Sequence, residues 1–340
     1  MAALTTTDRE RRARPPAVIV GYGHAGQDLH HRALRALYGN DTEVFAVDPP
    51  LRDTPPRVHR LPSLKAAADC CPVAETVFHV TTPPAVHLEC VAELVLLGAR
   101  RIILEKPIAP NAAESRQLCE LADRSQAQIL PVSVWPNSRV TERVRQIIAS
   151  GEIGELVSLH IEQSKPRFSR TSTSDSHLTA FEVELPHQAL LALYLAGPET
   201  KVLPSPTWSM PLPDRAVPAM GGAVVRLEHA DGVVSTLLSD LTSPVRRRRL
   251  RVNGTKGEVV ADFPVSSQDS YGQVRISDQP GRAVIEDAPV TQFIAAAYAY
   301  FTGAGPLPPA DLALHHRAIS LLERARECAV PAAPEPAVAW

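Results

Sequence analysis

The sequence predicts an α/β domain with a doubly wound parallel sheet, followed by an α+β domain whose sheet is mainly antiparallel. Up to about residue 135 the apolar segments are short, continuous and β-branched, with helix-like stretches between them. Strands buried on both faces of a parallel sheet read this way. From about residue 157 apolar and polar residues alternate instead, as in strands with one buried and one wetted face.

The chain of 340 residues is long enough for two domains with separate cores. Hydrophobic residues make up 44%, charged residues 21%, and the formal net charge is -2, which argues against a nucleic-acid or membrane partner. Met1 to Arg14 is charged and lacks the apolar run of a signal peptide, so residues 1–15 read as a disordered tail. No run of about 18 apolar residues predicts a membrane span. Five cysteines, an odd number without Cys-x-x-Cys spacing, suit reduced thiols and a cytoplasmic location. Cys70-Cys71, His30-His31 and His315-His316 lack ligand spacing and read as packing or surface residues, so no metal is expected.

Ala17-Val18-Ile19-Val20 runs directly into Gly21-Tyr22-Gly23-His24-Ala25-Gly26, a G-x-G-x-x-G between a strand and a helix-like stretch. Gly21 permits the tight turn, Gly23 lets the backbone approach a pyrophosphate, and Gly26 allows the helix to pack closely on the strand. The helix amino terminus then faces the phosphates of a dinucleotide. A second strand, Glu43 to Val47, ends at Asp48, 22 residues beyond Gly26, where a carboxylate accepts ribose hydroxyls. Its charge favours NAD over NADP, while Arg52 and Arg57 leave NADP open. A strand over Thr76–Val80 opens into Thr81-Thr82-Pro83-Pro84, whose hydroxyl and backbone groups line the cofactor, and His87 begins the next helix as a helix-end contact. The following strand, Arg101-Ile102-Ile103-Leu104, ends in Glu105-Lys106-Pro107 and so delivers a lysine to the carboxyl edge of the sheet, where ligands of such sheets bind. Asn111 with Glu114 forms a capping box for one more helix, and a strand from Gln128 to Val134 delivers Trp135 and Asn137.

This ordered set, with Thr82-Pro83-Pro84 and His87, the helix and turn of Ile147 to Glu155, and Gly254-Thr255-Lys256-Gly257, resembles the Gfo/Idh/MocA oxidoreductases, the family of glucose-fructose oxidoreductase and inositol dehydrogenase. The resemblance runs from about Ala17 to Cys328. It implies a Rossmann domain over 16–135 that binds the dinucleotide. It also implies an α+β domain over 136–340 with a large open sheet that binds substrate and pairs with another subunit in a homodimer or homotetramer. Gly21, Gly23, His24, Ala25, Gly26, Asp48, Thr81, Thr82, Pro83, Glu105 and Lys106 are the expected cofactor contacts.

In the second half, Val140, Val144, Ile147 and Ile148 lie at helical spacing before Gly151. Val157, Leu159 and Ile161 open the alternating strands, and Asp231-Gly232, Asn253-Gly254 and Pro280-Gly281 mark turns between later ones. Thr291–Thr302 and Asp311–Cys328 are amphipathic helices. Arg246 to Arg249 and Arg251 form a charge run on a strand, whose alternate members point to opposite faces. A solvated strand or subunit contact is favoured over a phosphate site, since charge runs usually decorate surfaces.

His187, just after Pro186 at the start of an apolar helix, matches the family's active-site histidine. The aspartate common four residues earlier in the family is Val183 here; Glu184 and Glu182 flank that position, and Glu184 is the nearer substitute for orienting the imidazole. The implied reaction is hydride transfer between nicotinamide and a secondary alcohol or ketone on a sugar, aminosugar or cyclitol ring. His187 carries the proton and Lys106 stabilises the developing negative charge. Trp135 and Asn137 border the substrate, with Glu162, Lys165 and Arg167 as further candidates. Two alternatives stay open: a ketoreductase of a nucleotide-linked keto-sugar, and a dinucleotide-binding regulator without turnover.

Overall fold

The computed structural model of the protein describes residues 14–48, 55–173, 177–266 and 268–332. Residues 1–13 of the expected tail, and Pro49, Pro50 and Arg52, lie outside them. Arg14 and Pro15 correct the end of that tail, because both are packed: Pro15 is buried, and the Arg14 guanidinium lies 5.0 Å from the centroid of the Tyr38 ring.

The chain divides into two compact units, Met1–Val132 with Val290–Leu312, and Ser133–Pro289 with Ala313–Trp340. The sequence boundary at 135/136 lies close to this division. Val290–Leu312, which the sequence reading grouped with the second domain, returns to the first unit through packing that no local pattern signals.

In the first unit the strands β1 (Ala17–Val20), β2 (Val44–Val47), β3 (Val58–Leu61), β4 (Val77–Val80), β5 (Arg101–Leu104) and β6 (Gln128–Pro131) form one parallel sheet in the order β3-β2-β1-β4-β5-β6. The order reverses between β1 and β4, which places the ends of these two strands at the ligand-binding switch point. Ile19, Val20, Phe78, Val80, Ile102, Ile103 and Leu104 are all buried. Burying each such side chain is worth about 1.5–3 kcal/mol. A π-helical stretch, Ala25–His31, runs into α1 (Arg32–Tyr38), followed in order by α2 (Leu64–Cys70), α3 (His87–Leu96) and α4 (Ala112–Arg124). The Asn111 cap forms, with Asn111 Oδ1 accepting from Glu114 N at 2.8 Å, but Glu114 Oε1 accepts from the Asn111 side-chain amide at 2.8 Å rather than from its main chain. Strand β3 has no sequence counterpart because the exposed His59 and Arg60 separate its two apolar residues and leave no apolar run.

The second unit carries α5 (Arg139–Ser150), β7 (Leu156–Ser164), α6 (Phe168–Thr173) and α7 (Leu185–Ala196). These are followed by β8 (Thr200–Leu203), β9 (Ser205–Pro211), β10 (Ala216–His229), β11 (Val234–Asp240), β12 (Arg247–Gly254), β13 (Glu258–Asp262), β14 (Tyr271–Ile276), β15 (Ala283–Glu286) and β16 (Ala329–Pro331). Their sheet runs β15-β14-β13-β12-β7-β11-β10-β9-β16, with β8 on β10, and is antiparallel except where β7 meets β11 and β16 meets β9. Gly151 ends α5 with φ 72°, the left-handed cap its position predicts. Val157, expected on the buried face, is 47% exposed; it precedes the regular alternation, which begins at Leu159 beyond the register shift opposite Gly254. No helix among the described residues is long and apolar enough to cross a membrane.

Candidate active site

The loop after β1 is shaped by its glycines. Gly21 has φ +87°, and a Cβ there would lie 2.9 Å from Thr82 N. A Cβ on Gly26 would strike the carbonyl oxygen of Gly21, so only glycine lets the helix start this close to the strand. A Cβ on Gly23 would meet nothing within 4 Å, which leaves an open cradle over the backbone where a pyrophosphate fits. Tyr22 N donates to Asp48 Oδ2 at 2.6 Å, so Asp48 ties the end of β2 to this loop. Thr81 also holds the loop itself. Its buried hydroxyl is bonded to the Gly21 carbonyl at 2.5 Å, so it braces the loop from below. His24 is exposed, with Nδ1 2.7 Å from Asp28 Oδ2. His87, fully buried, has Nε2 2.8 Å from Thr82 O and Nδ1 3.2 Å from Ile108 O, stitching the Thr82-Pro83 turn to the segment after Pro107. Burial holds its imidazole below the ordinary range.

Glu105 and Lys106 end β5, and the Lys106–Pro107 peptide is cis. Glu105 is 6% exposed; its Oε2 accepts Lys106 N at 2.9 Å and its Oε1 lies 3.0 Å from His30 Nε2. His30 Nδ1 lies 2.8 Å from His79 Nδ1, and His79 Nε2 lies 3.0 Å from Tyr298 Oη. One donor order follows for neutral rings. Tyr298 donates to His79, His79 to His30, and His30 to the carboxylate, so every polar atom of the chain has a partner. Burial opposes ionisation of Glu105, but the hydrogen bond from His30, with the charge and main-chain N–H of Lys106, holds its carboxyl below the usual range. Burial, with the nearby His30 and Arg14, pushes His79 well down, and burial pushes the Tyr298 hydroxyl up.

Within the second unit, Pro186 lies in the first turn of α7 and His187 follows it. Gln188, fully buried, donates through Nε2 to Leu238 O on β11 at 3.0 Å and so fixes the helix on its sheet. The His187 imidazole stacks on Trp135, with centroids 6.3 Å apart and planes at 12°, and Trp135 stacks on Phe263 at 4.7 Å and 19°. Trp135 is 5% exposed, so the indole that the sequence sets against a sugar ring serves here as a platform for the imidazole. The Asn137 amide nitrogen donates to Ser133 O at 2.8 Å. The Glu184 carboxylate is ion-paired with Lys165 Nζ, while its main-chain carbonyl accepts His187 N at 3.1 Å. Val183 is buried, and Glu182 accepts Leu178 N at 2.7 Å.

Sequence reasoning missed His30, His79 and Tyr298 as partners of the Glu105-Lys106-Pro107 turn. His30 and His79 stand on the helix after the glycine loop and on β4, and nothing in their local patterns signals a shared contact. Register supplies part of the signal, since His79 pairs with Ile19 and Ile103 on the neighbouring strands.

Residues 16–133 match the NAD-binding Rossmann-fold domain of the oxidoreductase family, and residues 141–260 match the GFO/IDH/MocA C-terminal domain, between them well over half of the 340 residues. The chain belongs to the GFO/IDH/MocA oxidoreductase family. In this GFO/IDH/MocA chain the glycine loop, Asp48 and Lys106 fall in the first match and Glu184 and His187 in the second; Trp135 and Asn137 fall between them. An uncharacterized oxidoreductase of Schizosaccharomyces pombe is 32% identical over 98 residues, 28% of this chain and 26% of that protein. A D-xylose 1-dehydrogenase (NADP(+)) of Hypocrea jecorina is 24% identical over 237 residues, 63% of this chain and 59% of that protein. The chain thus matches about a quarter and somewhat over half of these two relatives' lengths. The structure of a lysine-to-glutamate mutant of KijD10, a 3-ketoreductase of Actinomadura kijaniata, in complex with TDP-benzene and NADP superposes with a TM-score of 0.73 at 16% identity, over 94% of this chain and 99% of that one. That likeness establishes the shared fold.

Proposed function

We propose that the protein transfers a hydride between the nicotinamide of NAD or NADP and a ring carbon of a sugar, aminosugar or cyclitol, interconverting a secondary alcohol and a ketone. The stacking of His187 on Trp135 in the first turn of α7 carries this reading, because it holds a proton carrier in one fixed orientation. The D-xylose dehydrogenase relative supports the substrate class. Residues 16–135 bind the dinucleotide in this reading and residues 136–340 bind the substrate.

The backbone of Gly21 to Gly26 would hold the pyrophosphate, Asp48 the adenosine ribose, and the Thr82-Pro83 turn the wall beside them. Nicotinamide supplies the hydride chemistry. His187 takes the hydroxyl proton in oxidation and returns it in reduction. Lys106, its main chain fixed by Glu105, stabilises negative charge on the substrate oxygen. Glu184 acts on the site through its ion pair with Lys165. The Asp48 carboxylate favours NAD by repelling a ribose phosphate.

The five free cysteines suit a cytoplasmic enzyme. The open face of the large sheet, where Arg249 pairs with Asp262 and Arg251 with Glu258, would meet a second copy in a homodimer or homotetramer.

The test follows nicotinamide absorbance with NAD and NADP across hexoses, pentoses, aminosugars and inositols. Turnover should fall by about a hundredfold or more in Lys106→Met and in His187→Ala. Near-native turnover in both variants would overturn the assignment. Tight dinucleotide binding without any turnover would select the regulator reading.

A further inference from the structure

The arginine-rich strand β12 treats its two faces differently. On one face Arg247 lies 3.3 Å from Glu162, Arg249 2.7 Å from Asp262 and Arg251 3.3 Å from Glu258, so each cation has its own carboxylate. Arg248 points the other way. It pairs in register with the buried Gln163 of β7 and donates through Nη1 to Pro264 O at 2.9 Å. Lys165 and Arg167 follow β7 directly, and Lys165 is ion-paired with Glu184 at the start of α7. Among the described residues, Glu184 is the carboxylate that Lys165, Arg167 and Arg248 share, through direct pairing with the first and through its charge with the other two. Among the described residues three cations therefore share one anion, and Arg170 and Arg246 add further positive charge beside Arg167 and Arg248, a surplus of at least two.

Arg167 is the buried member of this group, while Lys165 and Arg248 are half-buried. Arg167 is 6% exposed and its Nε has no hydrogen-bond partner among the described residues, while Nη2 donates to His177 Nδ1 at 3.3 Å. Thr171, one helical turn further on, is 5% exposed and its hydroxyl also lacks a partner among the described residues. A guanidinium donor left unpaired away from water is costly unless an acceptor comes to it. Burial pushes Lys165, Arg167 and Arg248 all downward, as expected of cations awaiting a counter-charge.

We propose that Lys165, Arg167 and Arg248 form a phosphoryl-binding subsite one helical turn from His187, so that the substrate bears a phosphate or diphosphate group. A phosphoryl group near pH 7 brings close to two negative charges and several acceptor oxygens, which matches the surplus and suits arginine's planar fork. A single carboxylate would leave one positive charge unanswered. This inference rests on the reading of the second unit as the substrate domain, and it deepens that reading by naming the substrate's charged handle.

The experiment titrates the protein, saturated with NAD, with glucose 1-phosphate and with thymidine diphosphate by calorimetry, using glucose as the uncharged control. At least one phosphorylated probe should bind roughly tenfold or more tightly than glucose, and Arg167→Gln and Arg248→Gln should each remove roughly tenfold of that gain. Arg249→Gln, the next residue on the opposite face, should leave probe binding unchanged. Lys165→Gln repeats the test if Arg167→Gln fails to fold, with NAD binding as the check on folding. Glucose 1-phosphate binding alone would identify a sugar monophosphate, and thymidine diphosphate binding a nucleotide-linked sugar. Equal binding of all three probes, or a gain that survives both arginine substitutions, would overturn the subsite. Hydride transfer is read separately by nicotinamide absorbance, so phosphoryl binding without turnover would count against the oxidoreductase reading alone.

Discussion

His30 Nε2 lies 3.0 Å from Glu105 Oε1, although the two residues are 75 positions apart in the chain. The contact joins the helix behind the glycine loop to the strand that delivers Lys106, so the expected dinucleotide cradle and the expected catalytic lysine share one buried hydrogen-bonded chain. Removing a partner from such a chain strands a buried polar group, and the cost falls on both ends.

Glu105→Gln should therefore destabilise the protein by about 1–3 kcal/mol at neutral pH. The folded Glu105 carboxyl titrates below its ordinary value of about 4.3, so its stabilisation is complete above that pH and is lost as pH falls through the lower folded value. Urea midpoints of wild type and variant should differ most near pH 7 and converge below about pH 4.

His79 gives a second pH dependence. Its folded value is depressed, so the unfolded chain takes up a proton that the folded chain refuses, and stability falls as pH drops below about 6.5. The slope from this one group approaches about 1.4 kcal/mol per pH unit. In His79→Phe the slope between pH 6.5 and 5 should lessen by up to one proton, while stability at pH 7 drops because Tyr298 and His30 lose their shared partner. An unchanged slope would show that His79 is not the group refusing the proton.

The three loop glycines should separate folding from binding. Gly26→Ala forces a methyl into the Gly21 carbonyl and should cost about 1–3 kcal/mol in stability. Gly23→Ala meets open space, so it should fold with a near-native melting temperature yet weaken NAD binding about tenfold or more, read by fluorescence titration.

Asp48→Asn removes the charge that, in the proposed reading, would face a ribose phosphate, while keeping an oxygen for the Tyr22 amide. The ratio of kcat/KM for NADP over NAD should rise by about tenfold, on the order of the repulsion between charges near a protein surface. A ratio that does not move would place cofactor choice elsewhere on the loop.

The sequence by itself determined the elements whose cause is local. Ala17–Val20 and Arg101–Leu104 are strands because their side chains are apolar without interruption. Asn111 caps its helix because its amide oxygen reaches a main-chain N–H three residues on, and Gly26 is demanded by the Gly21 carbonyl five residues earlier, whereas the crowding at Gly21 comes from the distant Thr82. The alternation after Leu159 likewise announced the mainly antiparallel sheet, and Pro186 the start of α7. Only the tertiary structure decided which of these local pieces meet. His30 finds Glu105, Trp135 slides under His187, and Arg248 reaches the Pro264 carbonyl while Arg249 turns to Asp262. A side chain's partner depends on strand order, register and helix seating. Those are set by the burial of the whole core and leave no mark in the few residues on either side.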